Sequence, residues 1–168
     1  DEEGFSGRDG RTTIFDYWCV DTVRRWRNGG KFDGKMLTAE EKQLQAYYQR
    51  VLTLCNSEAA LSQGAFFDLT YANLHGWRFN EHRQYAFLRK HERELLLIVV
   101  NFAPATADLA INLPAHAFDV LQIPQNPAYT ATDLLTGHEE TLSLLPYQAT
   151  DVCVEGYGAK ILKFTLAE

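Results

Sequence analysis

Beyond Gly64 the chain alternates between apolar and polar positions with a period near two. Short runs rich in β-branched and aromatic residues are separated by Pro, Gly, Asn and Asp, as expected for strands joined by turns. No helical crossover of a dozen residues lies between the runs, which favours antiparallel strands over a parallel sheet. The pattern predicts a mainly β domain, an antiparallel sandwich or Greek-key barrel, with about seven strands: AFFDLTY, YAFLRK, ELLLIVVNFA, DLAINLP, YTATDLLTG, TLSLLP and AKILKFTLA.

One of these runs has little alternation. The segment ELLLIVVNFA contains the longest apolar stretch of the chain, Leu95 to Val100. A continuous apolar strand indicates burial on both faces, so this segment is predicted to be a central strand. The stretch is far shorter than the roughly 20 apolar residues of a membrane helix, so no membrane partner is predicted.

A helical pattern precedes the β region. Thr38 and Glu41 form a capping box, in which each side chain satisfies a backbone amide at the helix start. One amphipathic helix is therefore predicted from about Ala39 to Asn56, with a second short helical stretch at Glu58 to Leu61 before Gly64. Its apolar residues recur at helical spacing, and we call them the helix stripe: Leu44, Tyr48, Val51, Leu52 and Cys55.

The chain is predicted to divide near Gly64, into residues 1–63 and a β domain of residues 64–168. Residues 1–37 are rich in Gly, Asp, Arg and Asn and read as loop with short helical turns. A single amphipathic helix cannot form a domain alone. Its stripe must pack on the sandwich, on a missing body or on another copy of the chain.

The charge distribution narrows the possible partners. The formal net charge of −6 argues against nucleic-acid binding. The short basic cluster is interpreted as a solvated loop rather than a phosphate site; it comprises Arg24, Arg25, Arg27 and Lys31. The chain begins Asp1-Glu2-Glu3, without the basic and apolar regions of a signal peptide.

The cysteines do not predict disulfides. Cys19, Cys55 and Cys153 are odd in number and widely spaced, so we interpret them as reduced. The cytoplasm is accordingly favoured over the periplasm or secretion. Cys55 falls on the apolar helix face and Cys153 alternates with two valines, which predicts a packing role for both.

Motifs for chemistry are sparse. The five histidines are scattered without ligand spacing, and no nucleophile elbow or phosphate-binding loop occurs, so no metal and no cofactor are predicted. Two acids could still converge as a glycosidase pair. The four candidates, however, look like local turn, cap or strand residues; they are Asp9, Asp16, Asp21 and Asp68.

The N-terminal region resembles a known family. The segments GRDGRTTIFDYWCV, WRNGGKFDGK and LTAEEKQLQAYYQRVL resemble the chain after the eighth barrel strand of α-amylase family glycoside hydrolases. FLRKHERELLLIVVNFA, ATDLLTG and GYGAKILKF resemble the C-terminal β-sandwich of the same enzymes. The resemblance spans nearly the whole chain. It implies that residues 1–63 are the last loop and helix of a (β/α)8 barrel and that residues 64–168 are the C-terminal sandwich.

The resemblance also implies what the chain lacks. The family's Gly-x-Arg-x-Asp, Glu-bearing and Asn-His-Asp motifs do not occur, and GRDGR has no residue between Arg8 and Asp9. We therefore expect no catalytic residue and no activity from this chain alone. Its partner would be the remainder of a catalytic barrel that cleaves α-1,4-glucans with retention.

By the same resemblance, the first loop would rim the parent's active site, since loops after barrel strands build the catalytic face. Rim residues that could bind an α-glucan are Arg8, Asp9, Arg11 and Trp18. The alternative is that Arg11 pairs with Asp16 while the aromatic side chains anchor the loop. It is favoured, because aromatic clusters pack more often than they bind.

Two further possibilities remain open. The sandwich could be an independent carbohydrate-binding module whose stacking platforms are Trp77, Tyr71, Tyr85 or Tyr129. Burial of these rings in the core or at a domain interface is favoured over that role. The helix stripe, lacking a barrel, is also expected to drive self-association or to fold back onto the sandwich.

Overall fold

The computed structural model describes residues 21–166. The chain forms two compact units that divide between residues 50 and 51. Its α-helices are α1 (Asp21–Arg27), α2 (Ala39–Ser57), α3 (Ala59–Ser62) and α4 (Ala115–Leu121). Its strands are β1 (Ala65–Asp68), β2 (Gln84–His91), β3 (Glu94–Asn101), β4 (Ala107–Asn112), β5 (Asn126–Asp133), β6 (Glu139–Leu144), β7 (Ala149–Val154) and β8 (Ala159–Thr165). The assignment of residues 1–63 to a barrel stays a prediction.

The first unit contains α1 and most of α2. The predicted capping box is confirmed: the Glu41 amide donates to Thr38 Oγ1 at 3.2 Å, and the Thr38 amide donates to Glu41 Oε2 at 2.9 Å. Arg25 also donates to Glu41 at 2.6 Å, and this hydrogen bond lowers the pKa of Glu41.

Three of the basic residues predicted to lie in a solvated loop are instead part of α1, because Asp21 and the basic last turn complement the helix dipole.

The predicted helix is confirmed, and α2 ends one residue later than expected, at Ser57. None of its 19 residues is buried. Within the helix stripe, Leu44, Tyr48 and Leu52 are 58–60% exposed. The apolar surface that predicted an external partner is therefore present on the described helix.

The second unit is a mainly β, antiparallel arrangement of two sheets, as predicted. Six strands follow the order β1-β2-β3-β8-β5-β6, and β4 pairs with β7 in a second sheet. The strands β5, β6 and β7 follow one another, the Thr150 hydroxyl of β7 donates to the Ser143 carbonyl of β6, and β8 returns beside β5. That return is Greek-key connectivity.

Two elements were not predicted. Strand β7 has the sequence ATDVCV, and its polar residues resemble those of a turn. The alternation of Val152, Cys153 and Val154 was the sequence pattern that could have indicated a strand. The seven-residue helix α4 follows Pro114 and buries Ala117, Phe118 and Leu121 in the core. It is too short to show a helical period clearly.

The predicted packing role of the cysteines is wrong. In β7 the buried positions are Thr150, Val152 and Val154, so Cys153 points to the opposite, exposed face, and Cys55 is exposed on α2. The Asp108 carboxylate accepts a hydrogen bond from the Cys153 thiol and raises its pKa, which makes that thiol a poor nucleophile.

The central strand β3 is buried on both faces, as predicted. Leu95, Leu97 and Val99 belong to the main core between the sheets. Leu96 and Ile98 point the other way and form a smaller outer cluster with Ala60 and Ile161. Residues from the end of α2 and from α3 cover this outer cluster, because Leu54 and Leu61 pack against it.

Polar contacts fasten α3 to the sheet beside the outer cluster. Lys163 of β8 donates to Glu58 and to Glu94, both at 2.7 Å. Glu94 accepts the Ala60 amide at 3.2 Å, and Arg89 donates to the Ala60 and Leu61 carbonyls at 3.0 and 2.7 Å. We call these contacts the helix clamp.

The clamp also shifts two pKa values. The hydrogen bond from Lys163 lowers the pKa of Glu94, although burial acts in the opposite direction. Burial lowers the pKa of Lys163, but its hydrogen bonds with Glu58 and Glu94 outweigh that effect and raise it overall. The Glu94 contribution to stability is therefore present above the carboxyl's unfolded pKa and is lost as the pH falls through its lowered folded value.

The clamp generates a pH prediction. The substitution Lys163→Met should lower the free energy of unfolding by about 1–3 kcal/mol at pH 7, since it leaves two part-buried carboxylates without their cation. The difference from the unaltered protein should shrink as the pH falls below the ordinary pKa of a glutamate carboxyl and through the lowered pKa of Glu94. Urea denaturation of both proteins at several pH values measures this difference in the free energy of unfolding. Lys42→Met, at an exposed position of α2, is the control; a deficit that is constant from pH 7 to pH 3 would contradict the assignment.

Candidate functional site

The predicted rim residues, Arg8, Asp9, Arg11 and Trp18, lie outside the described residues, as does Asp16. Their role stays a prediction. The two other acids considered as a possible catalytic pair are described. Asp21 pairs with Arg24 at 3.4 Å on α1, and Asp68 accepts the Thr70 amide at 2.8 Å in the turn after β1. Both contacts are local, and Asp68 is the last residue of strand β1, as predicted.

Over residues 21–166 no three His, Cys, Asp or Glu side chains gather into a group that could hold a metal ion. Within the same range, no helix combines the length and apolar character needed to cross a membrane.

The four aromatic candidates for stacking differ sharply in exposure. Tyr129 is only 7% exposed, and its hydroxyl donates to the Pro124 carbonyl at 3.2 Å. Tyr85 is half-buried beside Phe87, and burial raises the pKa of both tyrosines. Tyr71 is about half exposed, whereas Trp77 is 80% exposed. The preference for core packing thus describes Tyr129 and does not describe Trp77.

Trp77 lies on a loop whose base is held by hydrogen bonds to strand β4. Asn73 is 2% exposed; its side-chain amide donates to the Leu69 and Asn112 carbonyls, and its Oδ1 accepts the Asn112 amide at 2.8 Å. Asn112 in turn donates to the Ala72 carbonyl at 3.1 Å. Phe79 is buried on the other side of Trp77. These contacts join the loop to β4 on both sides of its exposed tip.

The Trp77 ring has a charged neighbour. The Arg78 guanidinium lies 4.6 Å from the ring centroid, within cation–π range. Arg78 also forms an ion pair with Asp151 of β7, and its carbonyl accepts the Ala110 amide at 3.3 Å. Its backbone has a φ of 61°, a left-handed conformation that a non-glycine residue adopts at a cost. We call Trp77, Arg78 and Asp151 the tryptophan platform.

The sheet also carries an open cavity of about 530 Å³, which lies beside β5, β6 and β8. Its cationic side chains already have protein partners: Lys163 belongs to the helix clamp, and Arg93 donates to the Leu166 carbonyl at 3.1 Å. Tyr129, which also lines the cavity, is buried. The cavity therefore presents no exposed aromatic face and is a weaker candidate than the tryptophan platform.

The chain matches no protein-family model and no curated protein. It does match solved α-amylase structures. For AmyB, a maltogenic α-amylase from Thermotoga neapolitana, the TM-score is 0.57 and the identity 15%, over 78% of this chain and 27% of that one. For AmyP in complex with maltose, the TM-score is 0.56 and the identity 18%, over 82% and 24%. For an Anoxybacillus α-amylase they are 0.51 and 17%, over 76% and 23%.

These similarities establish the fold. The chain has the architecture of a portion of α-amylase structures and spans about a quarter of the length of each. The resemblance stated from sequence segments is therefore confirmed at the level of fold. Fold alone does not carry activity or substrate from one protein to another.

The pairing of Asn73 with Asn112 generates a stability prediction. Asn73→Ala should lower the free energy of unfolding by about 1–3 kcal/mol, because the backbone amide and carbonyl of Asn112 lose their side-chain partner. Leu74→Ala, at a half-exposed position of the same loop, should change it by less than about 0.5 kcal/mol. Native-state trypsin cleavage after Arg78 should accelerate only in Asn73→Ala. Equal effects of the two substitutions would show that the pair does not fix the loop.

Proposed function

We propose that this chain is the noncatalytic C-terminal segment of an α-amylase-like glycoside hydrolase that acts on α-1,4-glucans such as starch, glycogen and maltooligosaccharides. Residues 1–63 would complete its (β/α)8 barrel, and residues 64–168 would form the sandwich that covers and stabilises it. The observation that carries the proposal is an exposed amphipathic helix leading into a sandwich that shares its fold with a quarter of several α-amylases.

The exposed apolar surface of the first unit supports the proposal that a further part of a barrel covers it in the complete protein. Six large apolar residues before residue 51 are 47–60% exposed: Trp26, Phe32, Met36, Leu44, Tyr47 and Tyr48. Most helical stability in proteins comes from packing an amphipathic face rather than from helix propensity. A barrel whose last helix is α2 would supply that packing, and this surface would be its contact.

The helix clamp suggests what the sandwich contributes. Residues 54–61 pack on the outer cluster, and Lys163 holds Glu58 beside them. If α2 is the last barrel helix, the sandwich fastens the end of that helix and limits fraying at the barrel's open seam. Such a role requires no catalytic residue in this chain. The parent's two carboxylates would come from the part of the barrel that precedes it.

The alternative is an independent carbohydrate-binding sandwich. The 80% exposure of Trp77 favours it, since a binding module needs an open aromatic face. It does not account for the exposed stripe of α2, which a self-sufficient module would have no reason to present. The segment of a larger hydrolase accounts for both features and is the proposal we retain.

Two measurements test the proposal. The complete coding region should place a barrel with the missing carboxylate motifs before residue 1, and its product should release reducing sugar from starch. The 168-residue chain should release none. A complete coding region without a barrel, or starch hydrolysis by the 168-residue chain, would contradict the proposal.

The exposed helix stripe predicts that the chain associates with copies of itself. In the absence of a barrel, the 168-residue chain should self-associate through α2, and Leu44→Glu should shift it toward monomer, because a charge opposes burial of the stripe. Gln45→Glu adds the same charge at an exposed polar position of the same helix and should leave association unchanged. Light scattering over a concentration series measures this. A strict monomer before any substitution would remove the stripe as evidence for a partner.

A further inference from the structure

We propose that the tryptophan platform is an accessory sugar-binding site, at which one glucosyl ring of an α-glucan stacks on Trp77 without being cleaved. The choice of an α-glucan rests on the proposed function. The existence of the site rests on the geometry of residues 69–80 and 151.

The ring is preorganised. A single exposed apolar side chain is ordinary on a protein surface, but a mobile one pays ordering entropy when it binds. Here the Arg78 guanidinium lies against the indole at 4.6 Å, and Arg78 is itself paired with Asp151. The buried Asn73 and the half-buried Asn112 fix the base of the loop. The 80% exposed indole is thus held in place before a ligand arrives.

The surroundings of the ring suit hydroxyl groups. Asp151 has a side chain 76% exposed and can accept hydrogen bonds from a sugar while it pairs with Arg78. A sugar offers an apolar C–H face to the exposed side of the indole and hydroxyls at its rim, and the Asp151 carboxylate that pairs with Arg78 is an acceptor for such hydroxyls.

Other ligand classes fit less well. An anion such as phosphate would meet the Asp151 carboxylate beside a guanidinium that is already neutralised. An apolar peptide or acyl chain would place an ion pair against its surface without a compensating hydrogen bond. A neutral, hydroxyl-rich ring avoids both costs, and with a single stacking residue its Kd should be on the order of 1 mM.

The site is tested on the 168-residue chain. Maltoheptaose is titrated and binding is followed by tryptophan fluorescence and by isothermal calorimetry. Trp77→Ala should weaken binding about tenfold or more, as for a central aromatic contact. Asp151→Asn should weaken it several-fold through the lost acceptor charge. Tyr147→Ala, at an 85% exposed aromatic position, should bind as the unaltered chain does. Denaturation curves confirm that each variant is folded.

The outcomes separate this inference from the proposed function. Weaker maltoheptaose binding in Trp77→Ala and Asp151→Asn, with unchanged binding in Tyr147→Ala, supports the platform, whatever the coding region contains. Binding of cellohexaose in preference to maltoheptaose overturns the α-glucan assignment. No binding at about 20 mM maltoheptaose, a concentration well above the expected Kd, overturns the site. So does equal affinity in Trp77→Ala, or competition by inorganic phosphate, even if a barrel precedes residue 1.

Discussion

The structure depends on strand β3, which is apolar on both faces and must be buried on both. Because successive side chains of a strand point to opposite faces, the unbroken apolar run of β3 places one row in the sandwich core and another on the outside of the larger sheet. Leu97 represents the first row and Leu96 the second, and both are fully buried. The inner row is met by the β4–β7 sheet and α4. The outer row is met by Leu54, Ala60 and Leu61, so β3 determines both the sandwich and the attachment of a helix to it.

Charge placement reinforces that attachment at the edge of the outer cluster. An amine on β8 between two carboxylates is a poor source of stability when fully exposed, but Glu58 and Glu94 are 15% and 31% exposed in this ion pair. The hydrogen bond between Lys163 and Glu94 lowers the pKa of Glu94 and helps to raise the pKa of Lys163, so it favours the charged form of both. The apolar cluster supplies most of the burial, and the clamp gives α3 a defined position over it.

Local sequence patterns predicted most helices and strands but not the long-range contacts between them. The capping box of Thr38 and Glu41 is a contact over three residues, and β3 is a continuous run, so both were readable. The pairing of Asn73 with Asn112 spans 39 positions and has no local signal. The outward direction of Cys153 depends on which face of β7 meets the core, which an alternating pattern leaves open. For the same reason the sequence could nominate Trp77 but not distinguish it from Tyr129.

Exposure of apolar surface has two different meanings in this chain. On α2 it recurs along a helical face at Leu44, Tyr48 and Leu52, and such a continuous stripe needs a body of similar extent to cover it. At Trp77 it is a single indole, contacted by a guanidinium that is paired with the Asp151 carboxylate. Covering it with a protein surface would bury a charge pair, whereas a sugar ring would satisfy that pair with hydroxyl groups. The extent of the exposed surface and the charge beside it therefore separate a surface for docking a domain from a site for a small ligand.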